Sequence, residues 1–437
     1  MAVFFYNIFL FLFRVATFIA SFFNQKAKNW VHGRKHILEN LEKAIPKDSK
    51  IIWVHCASLG EFEQGRPLIE RLRAQDTGHK ILLTFFSPSG YEVQKNYKGA
   101  DWVFYLPLDG PRTAKRFLEI IHPSIAIFVK YEFWYYYLKK IKYRNIPLLL
   151  VSALFRKDMS FFQWYGSLQR KMLSRFDHLF VQNESSQQLI EELGLKDICS
   201  ISGDTRFDRV IEIAEKFQPI IPIEEFFNNS HSIIAGSTWP EDEVVLKKAF
   251  TSINDPSLKL VIAPHNVNEK RIRELQELFP NAILYSQLVS SEFHVSSSKS
   301  TISSNIQHPT SNILIIDNVG MLSRLYRYGY ITYVGGGFTK SGIHNVLEAA
   351  VYNKIVFFGP NYEKYSEAVG LVMSGGGISF QDIQGDGQLL ASLIQAMLVN
   401  KDEYEYRSKA SGEFVQKNKG ATQKIINYIQ EKRLLTN

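Results

Sequence analysis

The stretch Ile51–Leu72, "IIWVHCASLGEFEQGRPLIERL", decides the fold. It opens as an apolar run of strand type, Ile51 to Ala57. It breaks at Ser58-Leu59-Gly60 and resumes with Phe62, Leu68, Ile69 and Leu72 at helical spacing. A fully apolar strand feeding a helix is the start of a βαβ unit, whose strands are covered on both faces. Glu61 stands at the joint. An acid in a first helical turn suits the helix dipole, and that alone accounts for many such residues. Here it also follows a strand end, where α/β proteins bind ligands. Ser58 and Gly60 leave room beside it, and the dipole favours the ionised form that a general base requires.

The same rhythm runs outward. Strand candidates fall at 50–57, 79–86, 101–106, 124–130, 147–152, 177–182 and 197–202, with helices starting near Glu61, Gly90, Pro111, Glu132, Met159 and Glu184. The rhythm pauses through "IEIAEKF" and "QPIIPIEEFFNNS", where Pro219, Pro222 and the Asn-Asn-Ser at 228–230 read as a linker. It restarts with strands at 232–237, 259–263, 282–286, 312–316, 330–334 and 355–358. Two doubly wound domains facing a cleft are the simplest account. The Ser-rich 290–312 reads as a long exposed loop. The tail from Asp386 reads as helical, ending in a basic amphipathic helix at 421–433.

The first residues are a different material. Val3 to Phe23, "VFFYNIFLFLFRVATFIASFF", is long enough as a helix to cross a bilayer core. Arg14 interrupts it. Asn7, Arg14, Thr17 and Ser21 share one helical face, so the helix either spans or lies in the interface. Lys26, Lys28, Arg34 and Lys35 follow, which puts the remainder on the cytoplasmic side. The abrupt change after Lys26 predicts a tether that takes no part in building the site. The domains then run 1–25, 26–215 and 216–437.

The 437 residues carry a net charge of +8, which favours an anionic partner: a phospholipid surface, a phosphorylated substrate or nucleic acid. The sequence lacks an aromatic-basic RNA motif and zinc spacing, so nucleic acid ranks last. Two cysteines, Cys56 and Cys199, make no disulfide framework and read as buried small hydrophobes.

Four further stretches carry chemistry. "YVGGGFTKSGIHNVLEAA" (333–350) ends a strand in Gly335 to Gly337, a turn that lets a phosphate approach the backbone. Asn345 and Glu348 follow at a spacing that suits either a nucleotide contact or a cap. "IIAGSTWPEDEVVL" (233–246) ends a strand at Gly236-Ser237-Thr238 before Pro240, either a binding turn or an ordinary strand-helix turn. "FVKYEFWYYY" (128–137) sets Glu132 among aromatic rings, as a site carboxylate or a solvated helix start. "SGDTRFDRV" (202–210) sets Arg206 in a polar turn, facing an anion or paired with Asp204 or Asp208. A Walker lysine motif, a metal-binding cluster and a nucleophile elbow are missing from the sequence.

Taken in order, these stretches resemble the Kdo transferases, which move 3-deoxy-D-manno-oct-2-ulosonic acid (Kdo) from CMP-Kdo to a lipid A precursor. The shared patterns are Ser58, Gly60, Glu61, Pro67 and Leu68; Glu132-Phe133-Trp134; Gly203 to Asp208; Ala235 to Thr238; His344-Asn345 with Glu348; and Phe358-Gly359-Pro360. The chain departs from the family at Pro264-His265, where Pro-Arg is usual, and at Gly320-Met321, where Gly-Glu is frequent. Lys130 stands in place of a first acid, and Arg206 in place of Lys.

The resemblance implies a GT-B fold, inversion at the anomeric carbon, no metal and no cofactor beyond the donor. It implies a place at the inner membrane with the catalytic domains on its cytoplasmic face. Glu61 is then the general base, with Glu132 and Arg206 stabilising charge. CMP-Kdo is held by Ser237, Thr238, Pro264, His265, Gly320, Met321, Leu322, Gly336, Gly337 and Asn345, Val346, Leu347 and Glu348. Two other readings remain: a membrane-associated GT-B transferase using a UDP- or GDP-sugar, and a non-catalytic nucleotide-sugar-binding protein.

Overall fold

A computed structural model describes residues 2–290, 311–382, 385 and 387–435. The expected loop at 290–312 lies almost wholly outside them. The chain divides into two compact units, Met1–Arg209 with Asn418–Asn437, and Val210–Lys417.

In the first unit, seven strands form one parallel sheet. They are β1 (Ile51–Cys56), β2 (Lys80–Phe85), β3 (Trp102–Tyr105), β4 (Pro123–Val129), β5 (Leu148–Ala153), β6 (His178–Val181) and β7 (Cys199–Ile201). Their order is β3-β2-β1-β4-β5-β6-β7. All six residues of β1 are buried, because it pairs on both edges and is covered on both faces. The order reverses between β1 and β4. Successive strands leave β1 in one direction and β4 in the other, so the connecting loops part there and leave a crevice.

The second unit has β8 (Ser232–Thr238), β9 (Lys259–Pro264), β10 (Ile283–Leu284), β11 (Ile313–Ile315), β12 (Ile331–Val334), β13 (Ile355–Phe358) and β14 (Gly377–Ser379). The order is β10-β11-β9-β8-β12-β13-β14, and every pair is parallel. Here the switch lies between β8 and β12. The thirteen expected strands are all present; β14, three residues behind a run of glycines, carried no apolar signal.

Five expectations need correction. The supposed linker holds the helix Ile221–Phe227, because Ile223, Phe226 and Phe227 are buried together on one side of it. The "IEIAEKF" segment finishes the helix Thr205–Glu215. The division between units falls at 209/210 rather than 215/216. The final helix, Ala421–Glu431, belongs to the first unit: Ile425, Ile426 and Ile429 join the core formed by Ile52, Val54 and Phe62. Asp208 fixes its start by accepting from the Gly420 and Thr422 N–H groups at 2.6 and 2.7 Å.

The fifth concerns the apolar helix, Ala2–Ala20. It is long and apolar enough to cross a membrane, with a mean hydropathy of 2.0. Most of its Phe, Leu and Ile side chains are exposed. One face is nevertheless seated on the first unit: Leu10 is buried, and Phe13 packs against Trp30 and Phe86 with ring centroids 5.4 and 5.9 Å apart. It is therefore part of the unit's structure and not a free tether. Arg34 completes the joint, giving N–H bonds to Leu106 O and Phe86 O while its guanidinium lies over Trp30.

Candidate functional site

In the first unit, the three residues picked out as catalytic sit at carboxyl ends of strands. Glu61 is the third residue of the helix Leu59–Ala74, directly after β1. Ser58, at the cap position, does not bond the backbone of that turn; its hydroxyl donates to Glu61 Oε2. Ser-x-x-Glu is the spacing of a capping box, but here the serine orients the carboxylate instead.

Glu132 follows β4, across the switch point from Glu61. The helix expected near it starts later, at Tyr135. Glu132 Oε2 accepts from His55 Nε2 at 3.0 Å and from the Trp134 indole N–H. His55 is fully buried on β1, and its Nδ1 lies 2.9 Å from Thr84 Oγ1, which in turn accepts from Trp53 Nε1 at 2.8 Å. The Glu132 oxygen accepts in both bonds, and His55 Nδ1 faces the hydroxyl and the carbonyl oxygen of Thr84. Both bonds land on one oxygen. Oε1 has no protein donor among the described residues.

Arg206 is the second residue of the helix Thr205–Glu215, not a turn residue as expected. It pairs with Asp204 at 2.6 Å, while Asp208 is occupied with the C-terminal helix. The preceding Thr205 bonds Gln64 O and Ser152 Oγ at 2.5 and 2.9 Å. That reach brings the start of this helix back from edge strand β7 to the helix carrying Glu61. Burial pushes the Tyr131 phenol up, with Arg156 and Arg206 opposing and Glu61 adding to the shift. Burial likewise raises the Cys56 thiol, helped by Glu61, Glu132 and Glu63.

In the second unit, the residues expected to hold the donor converge around the end of β8. Gly336 and Gly337 follow β12, its neighbour across the switch point. Gly335 packs so closely that a Cβ there would meet Ser237 O at 2.4 Å, and Gly336 takes φ +93°. Pro264 ends β9, and the His265 N–H donates to Thr238 O at 3.0 Å. Gly320 takes φ +92°, Met321 is buried, and the Leu322 side chain lies against Gly236. Asn345 precedes the short helix Leu347–Ala350. Its side chain accepts from the Leu347 N–H and donates to Glu348 Oε1, each at 3.2 Å. The pair is thus bonded to itself at a helix start, and Val346 is the N-cap residue of that helix.

Two carboxylates that the sequence reading passed over hold these loops. Asp242 and Glu243 are both 0% exposed. Asp242 accepts from Tyr333 Oη (2.7 Å), Gly336 N (2.8 Å) and Trp239 N (2.8 Å), so one side chain ties both loops of the switch point. Glu243 accepts from Thr238 Oγ1 at 2.8 Å and from Arg271. Burial raises both carboxyls, against these donors. In "WPEDEVV" three acids are adjacent, and nothing local says which two point inward.

Above the loops three rings stack. Trp239 Nε1 donates to His344 Nε2 at 3.0 Å, and the two rings are 5° from parallel. His265 lies over both, at 4.8 and 4.5 Å. Burial, then His265, lowers the His344 imidazole to about 4, so it accepts as the neutral base. His265 is also lowered by burial, yet keeps an exposed edge.

Residues 31–209 match the family model described as "3-Deoxy-D-manno-octulosonic-acid transferase (kdotransferase)". A 3-deoxy-D-manno-octulosonic acid transferase of Aquifex aeolicus is 29% identical over 374 residues, 83% of this chain and 92% of that protein. One from Haemophilus influenzae is 25% identical over 388 residues, 87% and 86%. Among solved structures, a UDP-GlcNAc 2-epimerase from Neisseria meningitidis superposes with a TM-score of 0.60 at 16% identity, covering 87% of this chain and all of that one; the likeness is one of fold. With the two seven-stranded sheets, these relatives establish a GT-B architecture. The chain is thus similar to 3-deoxy-D-manno-octulosonic acid transferases over most of its length.

Proposed function

We propose that the protein transfers Kdo from CMP-Kdo to a phosphorylated lipid A precursor at the cytoplasmic face of the inner membrane. The observation that carries the reading is the placement of Glu61 and Glu132 on either side of the first sheet's switch point. Glu61 takes the proton of an acceptor sugar hydroxyl. The freed oxygen attacks the anomeric carbon of Kdo from the face opposite the phosphate. The carbon–oxygen bond to phosphate breaks, and CMP leaves with the bonding pair, inverting the centre.

Because CMP leaves as a phosphate monoester, already stable as an anion, donor N–H groups and a cation suffice without a metal. Arg206 supplies positive charge near Glu61, and Glu132, held by His55 and Trp134, stabilises charge at the reacting sugar. In the second unit, the Gly336–Gly337 turn, Ser237, Thr238, Gly320 to Leu322 and the 345–348 segment receive CMP. His265 stands where the family carries arginine, beside Pro264. The exposed apolar helix and the basic residues after it support a membrane location.

The test is turnover with CMP-Kdo and a tetraacylated, phosphorylated lipid A precursor in detergent, with products read by mass. Product with a UDP- or GDP-sugar and none with CMP-Kdo would overturn the donor assignment. Absence of any turnover, with CMP still bound, would return the non-catalytic reading.

A further inference from the structure

The apolar helix reaches the segment that carries Glu132 by two routes. The first is polar. Tyr6 Oη donates to Asp109 Oδ2 at 2.7 Å and accepts from the Tyr135 N–H at 3.2 Å. Asp109 also accepts from the N–H groups of Tyr136 (2.8 Å) and Tyr137 (3.1 Å). These three N–H groups open the helix Tyr135–Tyr143, which begins directly after Glu132-Phe133-Trp134. The second route is a row of rings. Phe13 packs on Phe86, Phe86 packs on Trp134 with centroids 4.6 Å apart, and the Trp134 indole N–H holds Glu132.

A helix that only anchored the protein needs an apolar face and nothing more. Tyr6 instead places a hydroxyl in a buried knot with a carboxylate that is 5% exposed. Such a group is costly to bury unless its bonds are all made, so the knot has one geometry.

We infer that the seated apolar helix sets the position of Glu132, with Tyr6 as a positioning residue, so that turnover depends on how that helix is docked. The inference rests on the reading of Glu132 as a group that meets the substrates.

Tyr6→Phe in the full chain, in liposomes of anionic phospholipid, tests it. The ring stays and the hydroxyl goes. The expected result is a kcat about 5–30-fold lower, since one neutral or charge-assisted hydrogen bond is worth roughly 1–2 kcal/mol. KM for CMP-Kdo and liposome flotation should not change. Asn7→Ala, which removes the 2.8 Å bond from Tyr136 Oη to Asn7 Oδ1, should act in the same direction and less, and serves if Tyr6→Phe folds poorly. Phe5→Leu, on the exposed face, should leave kcat alone. In a Glu132→Gln background Tyr6→Phe should add nothing, because the two act through one group.

A normal kcat in Tyr6→Phe, or an equal penalty in both backgrounds, overturns the inference while the Glu132 reading stands. A normal kcat in Glu132→Gln alone sinks that parent reading, and the inference with it.

Discussion

Both units place carboxylates at the switch point of a parallel sheet, and they use them oppositely. In the first unit Glu61 and Glu132 are partly exposed, each oriented by neighbouring side chains that touch few of its oxygens. In the second, Asp242 and Glu243 are fully buried and their oxygens are taken by backbone and side-chain donors. The first pair is therefore open to a substrate hydroxyl, while the second is spent on shaping a Gly-rich cradle. A carboxylate after a strand of an α/β fold is thus no indicator of chemistry until its lone pairs have been counted.

The sharpest way to break this contrast is Glu61→Gln. Loss of a general base costs ~10²–10⁴-fold in rate. The variant should fold and bind CMP as before, with kcat down by at least about a hundredfold. Near-normal turnover would put Glu61 with the structural acids. Asp242→Ala should do the reverse. It orphans three buried donors, so unfolding in urea should show a loss on the order of 3 kcal/mol. CMP binding should fall with it, while acceptor affinity holds.

A third prediction concerns pH. His344 falls from an ordinary 6.5 to about 4 in the folded state. The unfolded chain therefore takes the proton first on acidification, and the stability this group supplies is present above 6.5 and lost between 6.5 and 4. Across that window the native protein should lose about 2 kcal/mol more than His344→Gln, by urea unfolding at each pH. The smallest effect is at His265. Desolvation lowers its imidazole from the ordinary 6.5, so it gains charge only as the solution turns acidic, and donor KM should improve as pH falls. His265→Arg should improve it by up to about fivefold and flatten the dependence, the size of a partly exposed ion pair.

What the sequence made legible follows the same contrast. Strands such as Ile51–Cys56 and Leu148–Ala153 are almost wholly apolar because both faces are covered, and such a run is visible in one dimension. Glu61 and Glu132 were visible because each stands alone at the end of such a run. Asp242 and Glu243 were hidden among adjacent acids, and His55 within a strand, because what distinguishes them is which donors fold against them. Those donors, Gly336 and Tyr333 in one case and Thr84 in the other, are 29 or more residues away. The reach of Tyr6 to Asp109 spans 103 residues and leaves no local trace.

The return of Ala421–Glu431 to the first unit has a consequence for synthesis. The chain leaves the first unit at Arg209 and re-enters it at Asn418, so the second unit is an insertion within the first. On the ribosome, β1 and the Glu61 helix emerge early, yet Ile425, Ile426 and Ile429 are still untranslated. The unit that starts first must wait, one flank of its core open, until the inserted unit has been made. The order of completion is then the reverse of the order of appearance, and the nascent chain carries an uncovered apolar flank beside the helix that bears Glu61.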